Sequence, residues 1–312
     1  MKEVLLPQAN GERISGIFSP TLTSYNPDGS VNLPGVRRFV RYLMDAGVDG
    51  LAPLGSAAEP VALTVKERME ILEAIVQEVD GRIPIYAGTG HYSTDITIEL
   101  SKHAKSIGCD GLMLMAPYLL RPPKRDVLNY FRQVHAAVDL PVMMYNVPVL
   151  TGCEVTPAEL KVLAADGVIH AVKWSHSEVS RIHDTRLFCG PDFKIFAGVD
   201  VIAFEALAVG ADGWISGLPM IVPSLAVKIH RLLKHDNNLE AARELWYRVL
   251  PIIHVEYRAM GTDANDPHWL SVCREAADIR GLDMGAARLP FTAVLPEVRE
   301  ELKQLLTGLG QL

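Results

Sequence analysis

Lys173 lies inside the apolar run VIHAVKWS (168–175), where an ammonium is out of place. Strand interiors exclude unpaired charges because burying one is costly. Of the eleven lysines, nine fall in helix-like stretches or near the termini, and Lys194 opens its strand. Lys173 comes late in its strand, between Val172 and Trp174. A desolvated ammonium gives up its proton more readily, and a neutral amine can attack a ketone to form a Schiff base. The plainer reading is a strand-end lysine paired with a carboxylate. Tyr145 holds the equivalent late position in the preceding run, PVMMYNVP (141–148). Neighbouring strands lie about 4.8 Å apart, so its phenol could move protons to and from Lys173. A core tyrosine with a satisfied hydroxyl is the alternative.

Other motifs are weaker. The loop GSAAEP (55–60) offers backbone N–H groups and the Ser56 hydroxyl, which together could hold a carboxylate. The GTG at 88–90 lacks the Lys-Ser/Thr that a phosphate loop requires. The ten histidines form no HExxH and no close pair on one strand, which argues against a zinc hydrolase or a metal-dependent aldolase, and without a GxSxG no Ser-His-Asp arrangement can be read from spacing. No cofactor or metal is called for. His176, three residues after Lys173, reads as a loop residue at a helix start.

Eight near-continuously apolar runs must position these residues: 14–20, 50–55, 84–90, 111–117, 141–148, 168–175, 193–199 and 212–217. Such runs suit strands covered on both faces. Amphipathic stretches alternate with them, and Thr64 with Glu67 forms a capping-box pattern. The stops DAGVDG (45–50), SIGCDG (106–111) and AVGADG (208–213) repeat before strands. This pattern predicts an α/β fold, a (β/α)8 barrel over 1–234, with 235–312 as a C-terminal helical extension of the same domain. An open doubly wound sheet is disfavoured, because no GxGxxG follows the first strand. Barrel sites lie at the C-terminal ends of the strands. That rule selects Ser56, Tyr118, Tyr145, Asn146, Lys173, Ser175, Asp200 and Ser216.

The formal charge of −7 over 312 residues gives no reason to expect nucleic acid or an anionic membrane as partner. The N-terminal MKEVLLPQANG lacks a signal-peptide core, and no apolar run is long enough to span a bilayer. Four scattered cysteines fit free thiols in a cytoplasmic protein.

The order GSAAE (55–59), APYLLRP (116–122), YNVPVLTG (145–152), the lysine of VKWS, GVD (198–200) and GWISG (213–217) resembles the dihydrodipicolinate synthase and N-acetylneuraminate lyase superfamily. The resemblance implies a metal-free lyase in which Lys173 forms an imine with pyruvate or another 2-oxo acid and Tyr145 transfers protons. It also implies that Ser56 and the backbone of Ser56 and Ala57 hold the acid's carboxylate. Gly198 and Ile215 would line the pocket, and Asp200 would contact substrate hydroxyls; Tyr118 and Ser175, selected by their places at strand ends, are counted with the substrate-binding residues. Members are commonly homotetramers, dimers of dimers.

The chain departs from the family pattern at four places. Ala57 removes a hydroxyl from the carboxylate site, and Ala58 replaces a glycine. Leu119 stands where a second tyrosine completes a proton relay in dihydrodipicolinate synthase. Leu150 stands where that enzyme grips a second carboxylate with arginine, and a leucine cannot make that pair. The expectation is an aldolase-type lyase on a 2-oxo acid, and not a true dihydrodipicolinate synthase. A dehydratase of a 2-oxo-3-deoxy sugar acid, or a non-catalytic binding member, are the alternatives.

Overall fold

Alternation along each strand decides which side chains face the barrel axis. The computed structural model describes residues 14–258 and 267–312. Within them, eight parallel strands run in the order 2-1-8-7-6-5-4-3, and an isolated bridge from Leu51 to Ile85 joins the ends of the series. They are β1 (Gly16–Pro20), β2 (Gly50–Ala52), β3 (Tyr86–Gly88), β4 (Gly111–Met115), β5 (Val142–Asn146), β6 (Ala171–Trp174), β7 (Lys194–Ala197) and β8 (Gly213–Trp214). Helices connect them, giving the expected (β/α)8 barrel, with each strand inside its expected run. The segment 1–13, with the N-terminal motif considered above, lies outside the described residues.

Two buried clusters follow from the alternation. Phe18, Ala52, Tyr86, Met113, Met143, Tyr145, Ala171 and Phe196 come from seven strands and fill the interior. Phe18 meets Tyr86 and Phe196 edge-on, with centroids at 5.9 and 5.2 Å. Contact between side chains of β1, β3 and β7 requires all three to point inward across a closed ring. The alternate residues, such as Val172 and Trp174, join the larger core between strands and helices.

The repeated Asp-Gly stops now have a physical reason. The carboxylates of Asp49, Asp110 and Asp212 accept the backbone N–H groups of Ile17, Ile85 and Ile195 at 2.7, 2.9 and 2.9 Å. Each aspartate thus pins the start of the neighbouring strand. The glycines that follow leave room for the inner rings. A Cβ at Gly50, Gly111 or Gly213 would come within 2.5, 2.4 and 2.4 Å of Phe18, Tyr86 and Phe196. One dipeptide therefore aligns the strands and admits the aromatic core.

The capping box at Thr64 is formed, with Glu67 N–H donating to Thr64 Oγ1 and Thr64 N–H donating to the Glu67 carboxylate. The extension supplies helices Leu239–Arg258, Trp269–Ile279 and Pro296–Gly308. The sequence DNNLEAARELWYRVLPIIHVEYRAM (236–260) reads as helical, and its last two residues lie outside the described residues. Leu245, Val249, Ile252 and Leu302 of the extension are buried in the same cluster as the outer faces of the strands. No described helix is long and apolar enough to cross a membrane. All four cysteines are free, Cys109 and Cys273 buried, Cys153 and Cys189 half-buried.

Candidate active site

β5 pairs with β6 so that Tyr145 stands directly opposite Lys173. Both share the inward parity of Met143 and Ala171, so they emerge together at the C-terminal mouth of the barrel. Lys173 is 5% exposed and Tyr145 7%. The ammonium position of Lys173 lies 3.9 Å from the centre of the Tyr145 ring, within cation–π range. Lys173 makes no ion pair among the described residues. The paired-lysine reading therefore fails here, and the amine faces a phenol instead.

The Tyr145 hydroxyl is 3.3 Å from Ser56 Oγ. Burial alone would push this phenol up; the Lys173 charge and the polar groups of Ser56, Ser175 and Lys173 outweigh it and bring the phenol below its ordinary value. A tyrosine so placed gives up its proton more easily than a free one.

The loop after β2 reaches this pair as a short 3₁₀ turn, Ser56–Ala58. Its left-handed residues are Leu54 and Glu59, with φ of 59° and 56°. Ala58 is not among the positive-φ residues, so the glycine-to-alanine departure introduces no backbone strain there. Glu59 is buried and pairs with Arg274 of the extension at 2.6 Å. Thr23 Oγ1 donates to Ala58 O at 2.7 Å. Gly88 lies beneath the loop, where a Cβ would come within 2.4 Å of Leu54 O. The GTG sequence is thus a platform for the loop.

Ser56, Ala57, Tyr145, Lys173, Ser175 and Gly198 line one cavity of about 400 Å³. Ser175 Oγ donates to Gly198 O at 3.0 Å, and a Cβ at Gly198 would collide with Ser175 at 2.3 Å. Tyr118, Asp200 and Ile215 are not on that wall. Ile215 belongs to the apolar interior. Asp200 is fully buried and accepts from Trp214 Nε1, Ser216 Oγ, Gly217 N and Leu218 N at 3.0, 2.6, 3.0 and 3.2 Å. Burial raises its carboxyl above the ordinary range, and these four donors oppose that rise. Asn146 is also occupied: its amide donates to Val155 O and accepts from Val155 N.

The sequence reading missed Glu256, Tyr257 and Trp269, which bring the extension onto the cavity wall. Glu256 could have been found: it continues the apolar stripe of Val249, Ile252 and Ile253 at helical spacing. A carboxyl on a buried stripe calls for explanation. Among the described residues, no group of three or more His, Cys, Asp or Glu side chains is arranged to hold a metal.

A family model, the dihydrodipicolinate synthetase family, matches residues 13–309. The chain belongs to that family. Two of its relatives carry different names. A 4-hydroxy-tetrahydrodipicolinate synthase of Methanopyrus kandleri is 32% identical over 298 residues, 95% of each chain. YagE of Escherichia coli K12, provisionally named a 2-dehydro-3-deoxy-D-gluconate aldolase, is 34% identical over 301 residues, 95% of this chain and 97% of its own. The crystal structure of YagE in complex with pyruvate superposes with a TM-score of 0.88 at 31% identity, covering 96% of this chain and 99% of that one.

Proposed function

We propose that this family member is a Schiff-base-forming lyase of aldolase type, cleaving or condensing a 2-oxo acid such as pyruvate with an aldehyde. The observation that carries the reading is a buried amine with no ion-pair partner among the described residues, 3.9 Å from the ring of an acidified phenol. Pyruvate as the class of ligand draws support from the YagE complex.

In this reading the Lys173 amine attacks the C2 carbonyl and water leaves, giving a protonated imine. Ser56 and the backbone N–H groups of Ser56 and Ala57 receive the C1 carboxylate. As the C3–C4 bond breaks, its electron pair flows into the imine and forms an enamine, while Tyr145 takes the proton of the C4 hydroxyl. The enamine is protonated at C3, and hydrolysis frees pyruvate and Lys173. The imine is itself the electron sink, so the scheme needs no metal. Ser175 and Gly198 shape the wall. Asp200 acts through Ser216 and Gly217, which it holds in place, and Ile215 packs in the apolar interior beneath.

Relatives named as 4-hydroxy-tetrahydrodipicolinate synthases argue for that activity. Leu150 argues against it: it lies on the cavity wall, and no arginine does among the described residues. A second substrate bearing its own carboxylate would find no guanidinium. By resemblance the enzyme works as a homotetramer, a dimer of dimers, and its free thiols suit the cytoplasm.

Incubation with pyruvate, reduction with borohydride and mass spectrometry test the proposal. One reduced pyruvate adduct on Lys173, absent in Lys173→Ala, is expected. An unmodified wild-type protein overturns the imine mechanism. With 2-dehydro-3-deoxy-D-gluconate, released pyruvate marks the aldolase, whereas loss of water alone marks a dehydratase.

A further inference from the structure

Glu256 is the buried ionisable group on the cavity wall that the mechanism above leaves without work. It comes from helix Leu239–Arg258, is 1% exposed, and its Oε2 has no hydrogen-bond partner among the described residues. A buried polar atom left unpaired is costly, and native structures rarely keep one without a reason. The carboxyl rests against Gly217, where a Cβ would stand only 1.7 Å from Glu256 Oε1. Gly217 therefore makes the space this side chain occupies.

We propose that Glu256 is a specificity-determining residue, whose carboxyl receives a hydroxyl on the carbon chain beyond C3 of a polyhydroxylated 2-oxo acid. The inference rests on the imine reading of the site and deepens it. Burial, and then the neighbouring Asp200 charge, push the Glu256 carboxyl well above the ordinary range, which favours its protonated form. Asp200 is the better holder of charge in the pair, because Trp214, Ser216, Gly217 and Leu218 donate to it, with Tyr257 at 3.5 Å. A neutral acid that gives its proton to Asp200 keeps an acceptor oxygen for a hydroxyl. The rest of this end of the cavity agrees: Ser216 and Tyr257 add uncharged hydroxyls, and Lys173 is the only lysine on the wall among the described residues. Neutral hydrogen-bonding groups suit a polyol chain.

The test compares half-saturating concentrations for borohydride trapping on Lys173 by pyruvate and by 2-dehydro-3-deoxy-D-gluconate. Pyruvate has no chain beyond C3, so the ratio of the two values isolates the proposed contact from any general damage. Glu256→Leu should shift that ratio about tenfold against the longer acid, the loss expected of one hydrogen bond to a buried partner. Glu256→Gln, which keeps a donor for Asp200 and an acceptor for substrate, should shift it less than about twofold by the same reasoning. Gly217→Ala, which displaces the carboxyl without removing it, should behave as Glu256→Leu and stands in if that variant does not fold. An unchanged ratio in Glu256→Leu or Gly217→Ala overturns the proposal, as does a Gln variant as impaired as Leu. A wild type that traps pyruvate but not the longer acid overturns the substrate class while sparing the imine. A wild type that traps neither removes the imine reading beneath it.

Discussion

At the scale of single residues, the chemistry is concentrated in one facing pair. Lys173 was legible because a strand interior is a poor place for an ammonium, and Tyr145 because it holds the same late position one strand earlier. The register Tyr145 to Lys173 turns that inference into geometry. Asp200 was less legible. Its place after β7 is visible in sequence, but the direction of its carboxylate depends on Trp214, Ser216, Gly217 and Leu218, which only the fold assembles. Replacing Tyr145 with Phe keeps the ring beneath the amine and removes the proton carrier. Turnover should fall by about 10²- to 10⁴-fold, the usual worth of a positioned acid–base group, while pyruvate is still trapped on Lys173. Steady-state rates within a few-fold of wild type would remove Tyr145 from the proposed proton path.

At the scale of elements, period and punctuation in the sequence were enough to find every strand, and the Asp-Gly repeat marked where three of them begin. What stayed hidden was the traffic between distant segments. Glu59, the last residue of GSAAE, is tied to Arg274 more than two hundred residues later. Arg274 also donates to the carbonyls of Thr23, Met284 and Gly285, so one guanidinium joins the site loop to β1's exit and the extension. No local pattern announces such a pair. Replacing Arg274 with Met leaves Glu59 buried without its partner, a change that typically costs about 3–5 kcal/mol. Denaturant unfolding should register that loss, and KM for the 2-oxo acid should rise more than kcat falls as the Ser56 loop loosens. Unfolding unchanged from wild type would show that the tie is dispensable.

At the scale of the whole molecule, apolar side chains gather on the surface near the mouth. Leu119 and Leu120 are 80% and 70% exposed, and Val149 and Leu150 of the segment after β5 are exposed as well. Side chains of this kind are better covered than wetted, which fits the proposed dimer of dimers. Sedimentation equilibrium should return about four times the 34.2 kDa chain mass. Replacing Leu119 and Leu120 together with Glu should lower the assembly state. A monomer at micromolar concentration in the unaltered protein would count against the tetramer.

Because Glu256, Tyr257 and Trp269 all stand on helices that follow the eighth strand, the reaction chamber has a wall that is made last. Without those helices the mouth beside Lys173 and Tyr145 would stand open to water on that side. Selective reactivity should therefore appear only when the tail settles onto the ring. Until then the growing polypeptide carries its nucleophile in a wet and unselective form.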